Sequence, residues 1–359
     1  MSKKLLLVIG SLKTGGAERV TVTIGGELQK RGYEVHYVLQ RNIVELPNDI
    51  PKNRIHVLRE KESQSRIYKF YTLFIKLFFV CRRIKPDYVI AFSRVSSFIS
   101  CFTFHRNLIA RFDANPYILS RKQHRYADFV FKWPFTRRVV VPSTGMYDAI
   151  SNVRSTKEYK LVVVPNSLDF EHVISLAQEP SSFKTDYKFI CAMGRFSKDK
   201  NFELLLNAYS KSRIKELYRL VIIGDGKLSE KLHSLSESLG VQKQVVFTGY
   251  IKNPYTILKQ AQFLVNTSIK ESFCNVILEG LALSLPVIAT DCTYGPSDMV
   301  KSEKNGYLIN TNDEGELVML LDKIADNPNL ILQYKENTVN SISSFELNNV
   351  IGQWIRLLA

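Results

Sequence analysis

Residues 4–20 read KLLLVIGSLKTGGAERV. An unbroken apolar run from Leu5 to Ile9 stops at Gly10, and the pair Gly15-Gly16 opens a segment of helical character. A run without alternation suits a strand covered on both faces, the condition of a parallel sheet. Glycines at the strand-to-helix turn let the backbone approach a ligand at a helix N-terminus, where unpaired N–H groups and the positive dipole end favour anionic oxygen. Residues 189–206, FICAMGRFSKDKNFELLL, repeat this order of apolar run, glycine, polar loop and helix. Two such openings predict two doubly wound α/β domains in succession.

The rest of each half extends the pattern. Leu5–Ile9, Val35–Leu39, Tyr88–Phe92, Leu108–Arg111, Val139–Val141 and Leu161–Val164 are the predicted strands of the first half. Phe189–Met193, Leu220–Ile223, Val245–Phe247, Phe263–Asn266 and Val287–Ala289 are those of the second, with helical segments between them, as parallel crossovers require. Gln178-Glu179-Pro180-Ser181-Ser182 is the most linker-like composition. The first domain is therefore predicted over residues 1–175 and the second over 176–344, with a last helix in 345–359 that can cross back onto the first.

With 359 residues, 45% of them apolar, the chain has material for two ordinary cores, and 21 Phe with 17 Tyr exclude a disordered or collagen-like polymer. Five cysteines without a C-x-x-C pair suggest neither a disulfide framework nor a zinc cage. The opening MSKKLLLVIGSL imitates a signal peptide, but Lys13, Glu18 and Arg19 follow at once and no small-residue cleavage site appears. No stretch approaches the roughly 18 apolar residues of a membrane span. A cytoplasmic protein, peripheral on the inner face of the cell membrane, is expected.

The net charge of +15 is unevenly placed. Residues 1–180 hold 29 Lys and Arg against 15 acids, a balance of +14, whereas residues 181–359 hold 20 against 19, a balance of +1. Residues 63–87, SQSRIYKFYTLFIKLFFVCRRIKPD, mix six cations with aromatics and predict an amphipathic helix suited to anionic lipid headgroups. The same spacing also serves a core helix with a solvated basic face. A second cluster, Arg121, Lys122, His124, Arg125, Lys132, Trp133, Arg137 and Arg138, sets an interfacial tryptophan among cations.

Three segments carry chemistry. In GSLKTGGAERV, residues 10–20, the glycines lack both the G-x-G-x-x-G spacing and the Lys-Ser/Thr of a P-loop, so close packing explains them as well as phosphate binding does. In MGRFSKDKN, residues 193–201, Arg195 and Lys200 stand five apart in a strand-to-helix loop and can converge on a diphosphate, the first as a fork and the second as a point charge. In SIKESFCNVILEGLALSLPVIATD, residues 268–291, Asn275 is the expected helix cap. Glu271 then lies in the preceding loop and Glu279 just over one turn inside the helix. Carboxylates accept from vicinal hydroxyls, and the amides near Cys274, Asn275 and Val276 offer N–H groups to anionic oxygen.

In order, strand phase and separation, these three segments resemble the family 4 glycosyltransferases of the GT-B architecture. VVVPNSLD at 162–169, VIIGDGKL at 221–228, FTGYIKNPY at 247–255 and NGYLI at 305–309 extend the likeness, which is strongest from about residue 160 onward. The resemblance implies two Rossmann-like domains facing a central cleft and a retaining transfer from a nucleotide sugar, without a metal or other cofactor. The absence of a D-x-D motif accords with that, leaving Arg195 and Lys200 to neutralise the leaving diphosphate. By resemblance Glu271 holds the donor sugar, Glu279 the ribose, and the amides from Phe273 through Cys274 and Asn275 to Val276 the sugar and phosphate. Gly15 and Gly16 belong to the diphosphate contact, Tyr250 to the reading of the base, and Asp113 or Arg111 to the acceptor side.

Two departures stand out: Ser272-Phe273-Cys274 replaces the Gly-Phe-Pro common after the first glutamate, and ARFDANP replaces the usual His or Ser-Glu-Arg segment. The NPY, E-x7-E and DCTYGP blocks are similar to those of bacterial enzymes that extend undecaprenyl-diphosphate-linked oligosaccharides for O-antigen, capsule or protein glycosylation. The implied partners are a UDP-sugar donor, a polyprenyl-diphosphate-linked saccharide acceptor and an anionic membrane surface, and not nucleic acid. A basic membrane- or nucleic-acid-binding module without catalysis explains the charge but not the Arg195, Lys200, Glu271, Glu279 set. A GT-B sugar-nucleotide epimerase explains that set but not the basic aromatic surface, and the missing G-x-G-x-x-G argues against a dehydrogenase.

Overall fold

The computed structural model describes residues 2–13, 15–46, 51–59, 65–114, 121–153 and 160–359. Two compact units emerge, one of residues 1–167 with 350–359 and one of residues 168–349.

In unit 1 the strands are β1 (Lys4–Ile9), β2 (Glu34–Arg41), β3 (Ile55–Arg59), β4 (Tyr88–Phe92), β5 (Leu108–Arg111), β6 (Thr136–Val141) and β7 (Leu161–Val163). They form one parallel sheet in the order β3-β2-β1-β4-β5-β6-β7. Helices α1 (Gly16–Lys30), α2 (Arg66–Phe70), α3 (Leu77–Ile84), α4 (Arg94–Cys101), α5 (Arg121–Lys132) and α6 (Thr144–Val153) fill the crossovers, with a π-helical turn at Tyr71–Lys76 joining α2 to α3. Leu5, Leu6, Leu7 and Val8 have no accessible surface, as an apolar run sandwiched between helices requires.

Unit 2 has helix α7 (Phe170–Ala177) and then β8 (Phe189–Met193), α8 (Phe202–Lys211), β9 (Arg219–Ile223), α9 (Ser229–Ser238), β10 (Val245–Gly249), α10 (Tyr255–Leu258), β11 (Leu264–Asn266), α11 (Asn275–Ala282), β12 (Val287–Thr290), α12 (Pro296–Met299) and β13 (Gly306–Ile309). Helices α13 (Glu314–Asp326), α14 (Asn329–Lys335), α15 (Thr338–Ser341) and α16 (Leu347–Leu357) follow. The sheet order is β10-β9-β8-β11-β12-β13, again all parallel. Alternate residues of the same strands feed two separate cores. Ile190, Leu220, Ile222, Val265 and Ile288 pack with α8 and α13 on one face, while Cys191, Val221, Ile223, Leu264 and Val287 pack with α10 and α11 on the other.

The predicted strands are all present, and two more were missed. IHVLR of β3 and GYLI of β13 are edge strands with half-buried residues, so neither shows the continuous buried apolar run of β1, β4 or β12. Unit 1 ends at Ser167 rather than at the expected 175, because α7 packs against α10 and α11 of unit 2. From Val350 onward the last residues belong to unit 1. There Trp354 is fully buried, its ring centroid 6.2 Å from that of Phe92, and Lys3 Nζ donates to the Leu358 carbonyl at 2.6 Å.

Candidate functional site

In a doubly wound sheet the chain leaves neighbouring strands in opposite directions at one place, and the loops there part to leave a crevice at the carboxyl ends. In unit 2 that place lies between β8 and β11, since β9 and β10 continue on one side and β12 and β13 on the other. The loop after β8 carries Arg195 and Lys200; the loop after β11 carries Glu271 and leads into α11. Segments 71 residues apart in sequence therefore meet.

The first loop is tied down along its length. Gly194 N donates to the Ile223 carbonyl at 3.0 Å and Phe196 N to that of Asp225 at 2.9 Å, while the Phe196 ring is buried. A Cβ on Gly224, whose φ is +144°, would strike the Gly194 carbonyl. Thr267 Oγ1 donates to the Lys200 and Asn201 carbonyls at 3.1 and 3.0 Å, and Ile269 N to the Asp199 carbonyl at 2.8 Å. The two loops thus hold each other in place.

Across this junction Lys200 Nζ forms an ion pair with Glu271 Oε1, their side chains 21% and 14% exposed. Ser268, itself buried, donates its hydroxyl to the same Oε1 at 2.8 Å, which fixes the carboxylate on one side. Burial by itself lowers the pKa of the Lys200 ammonium. The pKa nonetheless stands above the ordinary 10.5, raised by the charge of the Glu271 carboxylate and by its hydrogen bond, so Lys200 is a cation at neutral pH. Arg195 is exposed and its side chain has no ion pair or hydrogen bond among the described residues. The junction therefore offers one anchored and one unengaged cation beside a carboxylate.

Helix α11 begins differently from the expectation. Cys274, with φ +70° and ψ +72°, stands in the cap position and makes no side-chain cap; Asn275 is the first helical residue instead. The left-handed turn at Cys274 reverses the chain a residue early. Its sulfur accepts from Asn266 Nδ2 at 3.4 Å, and burial pushes its thiol pKa well up, so it is a neutral thiol. Phe273 is buried, and Gly295, at φ +98°, must lack a Cβ because one there would strike the Phe273 carbonyl. From Phe273 to Val276 the backbone is thus fixed at a helix N-terminus, where the first amides have no partner inside the helix.

Inside α11, Glu279 Oε1 accepts from the Tyr255 hydroxyl at 3.3 Å. Tyr255, the partner of this candidate carboxylate, is the last residue of the NPY that ends FTGYIKNPY. Tyr250, 71% exposed, follows the edge strand β10, and the carbonyl of Gly249, at φ +69°, accepts from Gly224 N at 3.0 Å.

Gly15, Gly16 and Asp113 belong to unit 1. Gly15 precedes α1, Gly16 is its first residue, and the Glu18 carboxylate lies where a Cβ on Gly15 would stand. The offer of Arg111 as an acceptor-side group fails. Its guanidinium has no accessible surface and donates to Asp113 Oδ1 at 2.8 Å, the Val164 carbonyl at 3.0 Å and Asn166 Oδ1 at 2.5 Å, with the Trp354 ring 5.8 Å away. Among the described residues, the buried Oδ2 of Asp113 has no hydrogen-bond partner. Asn115 and Pro116 of the ARFDANP segment lie outside the described residues, as do residues 63 and 64 of the basic helix and the side chains of Arg121 and Lys122.

Ser93 follows β4 at the junction of β1 and β4 in unit 1. Its φ of +85° and ψ of +158° fall in a region that is essentially glycine's, at a cost of about 1–3 kcal/mol. Its hydroxyl lies 3.1 Å from that of Ser96, which accepts from Gln40 Nε2 at 3.0 Å. Among the described residues no three or more of His, Cys, Asp and Glu gather as metal ligands, and no helix is long and apolar enough to cross a membrane.

The pattern of the glycosyl transferases group 1 matches residues 174–340, and that of glycosyltransferase family 4 matches residues 14–172. Among curated proteins the chain is 28% identical over 358 residues to the N-acetylgalactosamine-N,N'-diacetylbacillosaminyl-diphospho-undecaprenol 4-alpha-N-acetylgalactosaminyltransferase of Campylobacter jejuni, covering 96% of each. It is 26% identical to a second Campylobacter jejuni enzyme, named as an alpha-1,4-N-acetyl-D-galactosaminyltransferase acting on a diNAcBac-PP-undecaprenol glycan, with 99% of this chain and 98% of that one covered. Among solved structures, Anabaena HepE in complex with UDP superposes with a TM-score of 0.83 at 18% identity over 99% of each chain.

Proposed function

The chain belongs to the group 1 glycosyltransferases, with their two-domain GT-B fold, and from that premise we propose that it moves a hexose or N-acetylhexosamine from a UDP-sugar to a polyprenyl-diphosphate-linked saccharide. The pairing of Lys200 with Glu271 at the β8–β11 junction carries this reading. It sets a fixed cation for a diphosphate within hydrogen-bonding reach of a fixed carboxylate for sugar hydroxyls. Arg195, unengaged in the same loop, adds a second cation, and the amides from Phe273 to Val276 add N–H donors. Glu279, bonded to Tyr255, takes the ribose, and Tyr250 flanks the base. The N-acetylgalactosaminyl names of both Campylobacter relatives support a lipid-diphosphate acceptor and an N-acetylhexosamine donor.

In this reading the transfer is retaining and needs no metal. The acceptor hydroxyl oxygen bonds to the anomeric carbon on the face from which UDP leaves, as the bond from that carbon to the β-phosphate oxygen breaks. The hydroxyl proton passes to the departing phosphate oxygen, so UDP and the extended saccharide are the products. Lys200 and Arg195 stabilise the charge growing on the diphosphate, and Glu271 orients the sugar. Gly15, Gly16 and Asp113 serve the diphosphate and acceptor from unit 1. The reaction takes place at the membrane face that holds the acceptor, in the assembly of a surface polysaccharide or glycan. A panel of UDP-sugars, tested for UDP release with and without a polyprenyl-diphosphate saccharide in the presence of a chelator, checks this. Acceptor-dependent release from one donor with an α-linked product is expected, and chelator-sensitive or absent turnover over the panel refutes it.

A further inference from the structure

At the amino end of the unit 1 sheet, where α3 runs into β4 and α4 into β5, lies a cavity of about 480 Å³. Its frame is tied by hydrogen bonds. His105 donates from Nε2 to the Pro86 carbonyl at 2.8 Å and accepts at Nδ1 from Asn107 N at 3.2 Å, while Asn107 Nδ2 donates to the Asp87 carbonyl at 3.0 Å. The loop before β4 is thereby held to the loop before β5. Asp87 Oδ2 accepts from Lys4 N at 2.7 Å, which fixes the carboxylate and leaves its Oδ1 without a partner among the described residues.

Both turns at this cavity use residues that the left-handed region disfavours. Lys85, which ends α3, has φ +50° and ψ +60°, and Phe104, beyond the end of α4, has φ +54°. Glycine takes that conformation freely, whereas a bulky side chain in it is an outlier, and such strain gathers at ligand sites. What these two positions bring to the cavity is a cation and a ring. Phe104 is 53% exposed and is backed by Trp133, with 5.7 Å between ring centroids. Arg82 and Arg106 border the same space, and the side chains of Arg82, Lys85 and Arg106 are exposed and make no ion pair or hydrogen bond among the described residues. Arg82 only stacks on the Phe78 ring at 5.1 Å. Three unneutralised cations around one concavity focus a positive field on it.

We propose that this cavity is a second ligand site, for a soluble nucleoside phosphate. Arg82, Lys85 and Arg106 take the phosphate oxygens, the base lies on the Phe104 ring, and a ribose hydroxyl donates to Asp87 Oδ1. A bare anion satisfies the cations but meets the Asp87 carboxylate, which needs a donor, and it leaves the ring uncovered. One molecule that carries an anionic group, a hydroxyl donor and a flat ring meets all three. The cavity adjoins the starts of β4 and β5, roughly 17 Å along five-residue strands from the carboxyl ends where Gly15 and Ser93 stand. It is separate from the donor groups of unit 2 and from the acceptor side of unit 1, and the inference goes beyond the transferase reading without resting on it.

Equilibrium dialysis of the full chain with labelled UDP counts the sites. With this site and the donor site both present, the parent binds two equivalents. Replacing Arg82, Lys85 and Arg106 by Gln weakens one of them about 100-fold, at roughly fivefold per exposed cation. Phe104→Leu weakens the same one about tenfold through lost stacking. All four side chains are exposed, so the melting curves of these variants match the parent's and show that they are folded. Arg195→Ala with Lys200→Ala removes the other equivalent and spares this one. A parent that binds a single equivalent, lost in the Arg195, Lys200 variant, overturns the second site and leaves the transferase reading intact. A single equivalent lost instead in the triple variant supports the second site and counts against the donor site. Two full-strength equivalents in the triple variant overturn the proposal. So does inorganic pyrophosphate that matches UDP in affinity here while Phe104→Leu changes nothing, since no base is then read.

Discussion

Replacing Lys200 by Ala tests the junction directly. Two effects are separable. The ammonium and the Glu271 carboxylate sit at 21% and 14% exposure, between the surface pairs that contribute about 0–1 kcal/mol and the deep pairs whose breaking costs about 3–5 kcal/mol. Ser268 still bonds Glu271 in the variant, which limits the loss. A stability change of about 1–3 kcal/mol is expected, a few degrees in Tm for a unit of this size. The effect on turnover is larger if Lys200 meets the departing diphosphate: about 2–4 kcal/mol of transition-state stabilisation, or roughly 30- to 1000-fold in kcat. Arg195→Ala makes the contrast, because an exposed and unpaired side chain supports catalysis without supporting the fold; it should lower kcat and leave Tm where it was. The assay is steady-state UDP release at saturating donor and acceptor, with circular dichroism melts on the same samples. A folded Arg195→Ala, Lys200→Ala double variant that turns over at a near-parental rate would refute the assignment of both cations.

Other outcomes follow from single contacts. Gly295→Ala forces a Cβ onto the Phe273 carbonyl at a positive φ, so it should cost about 1–3 kcal/mol by urea titration and lower donor affinity together with stability. Trp354→Ala empties a fully buried site against Phe92 and Arg111 and should destabilise by about 3–5 kcal/mol, seen as an earlier melting transition. His56 is held neutral chiefly by burial, then by His36 and Arg83, with its pKa pushed down from 6.5 to about 4. The unfolded chain thus binds a proton that the folded one refuses, and the stability this group contributes is complete above pH 6.5 and lost as pH falls toward 4. The urea midpoint of the parent should drop over that window more steeply than that of His56→Gln, and equal slopes would contradict it.

Much of this protein was legible in its residues taken in order. Buried parallel strands are continuous apolar runs, so β1, β4, β8 and β12 announce themselves, and with them two doubly wound units. Arg195, Lys200, Glu271 and Glu279 could be proposed as site residues because each sits at a fixed offset from a strand end or a helix start. Edge strands β3 and β13 escaped, since a strand that is only partly buried shows no continuous apolar run to read. What the tertiary structure alone decided is who meets whom. Lys200 finds Glu271 because β8 and β11 are neighbours in a sheet whose order departs from the order of the chain. Arg111, polar and basic in the sequence, is sealed away by Asp113, Val164, Asn166 and Trp354, the last of these 243 positions further along. Local pattern fixes which faces must be buried. The partner that buries them, and the charge that faces a given charge, depend on strand order and on where the chain returns, and neither is encoded within a window of neighbouring residues.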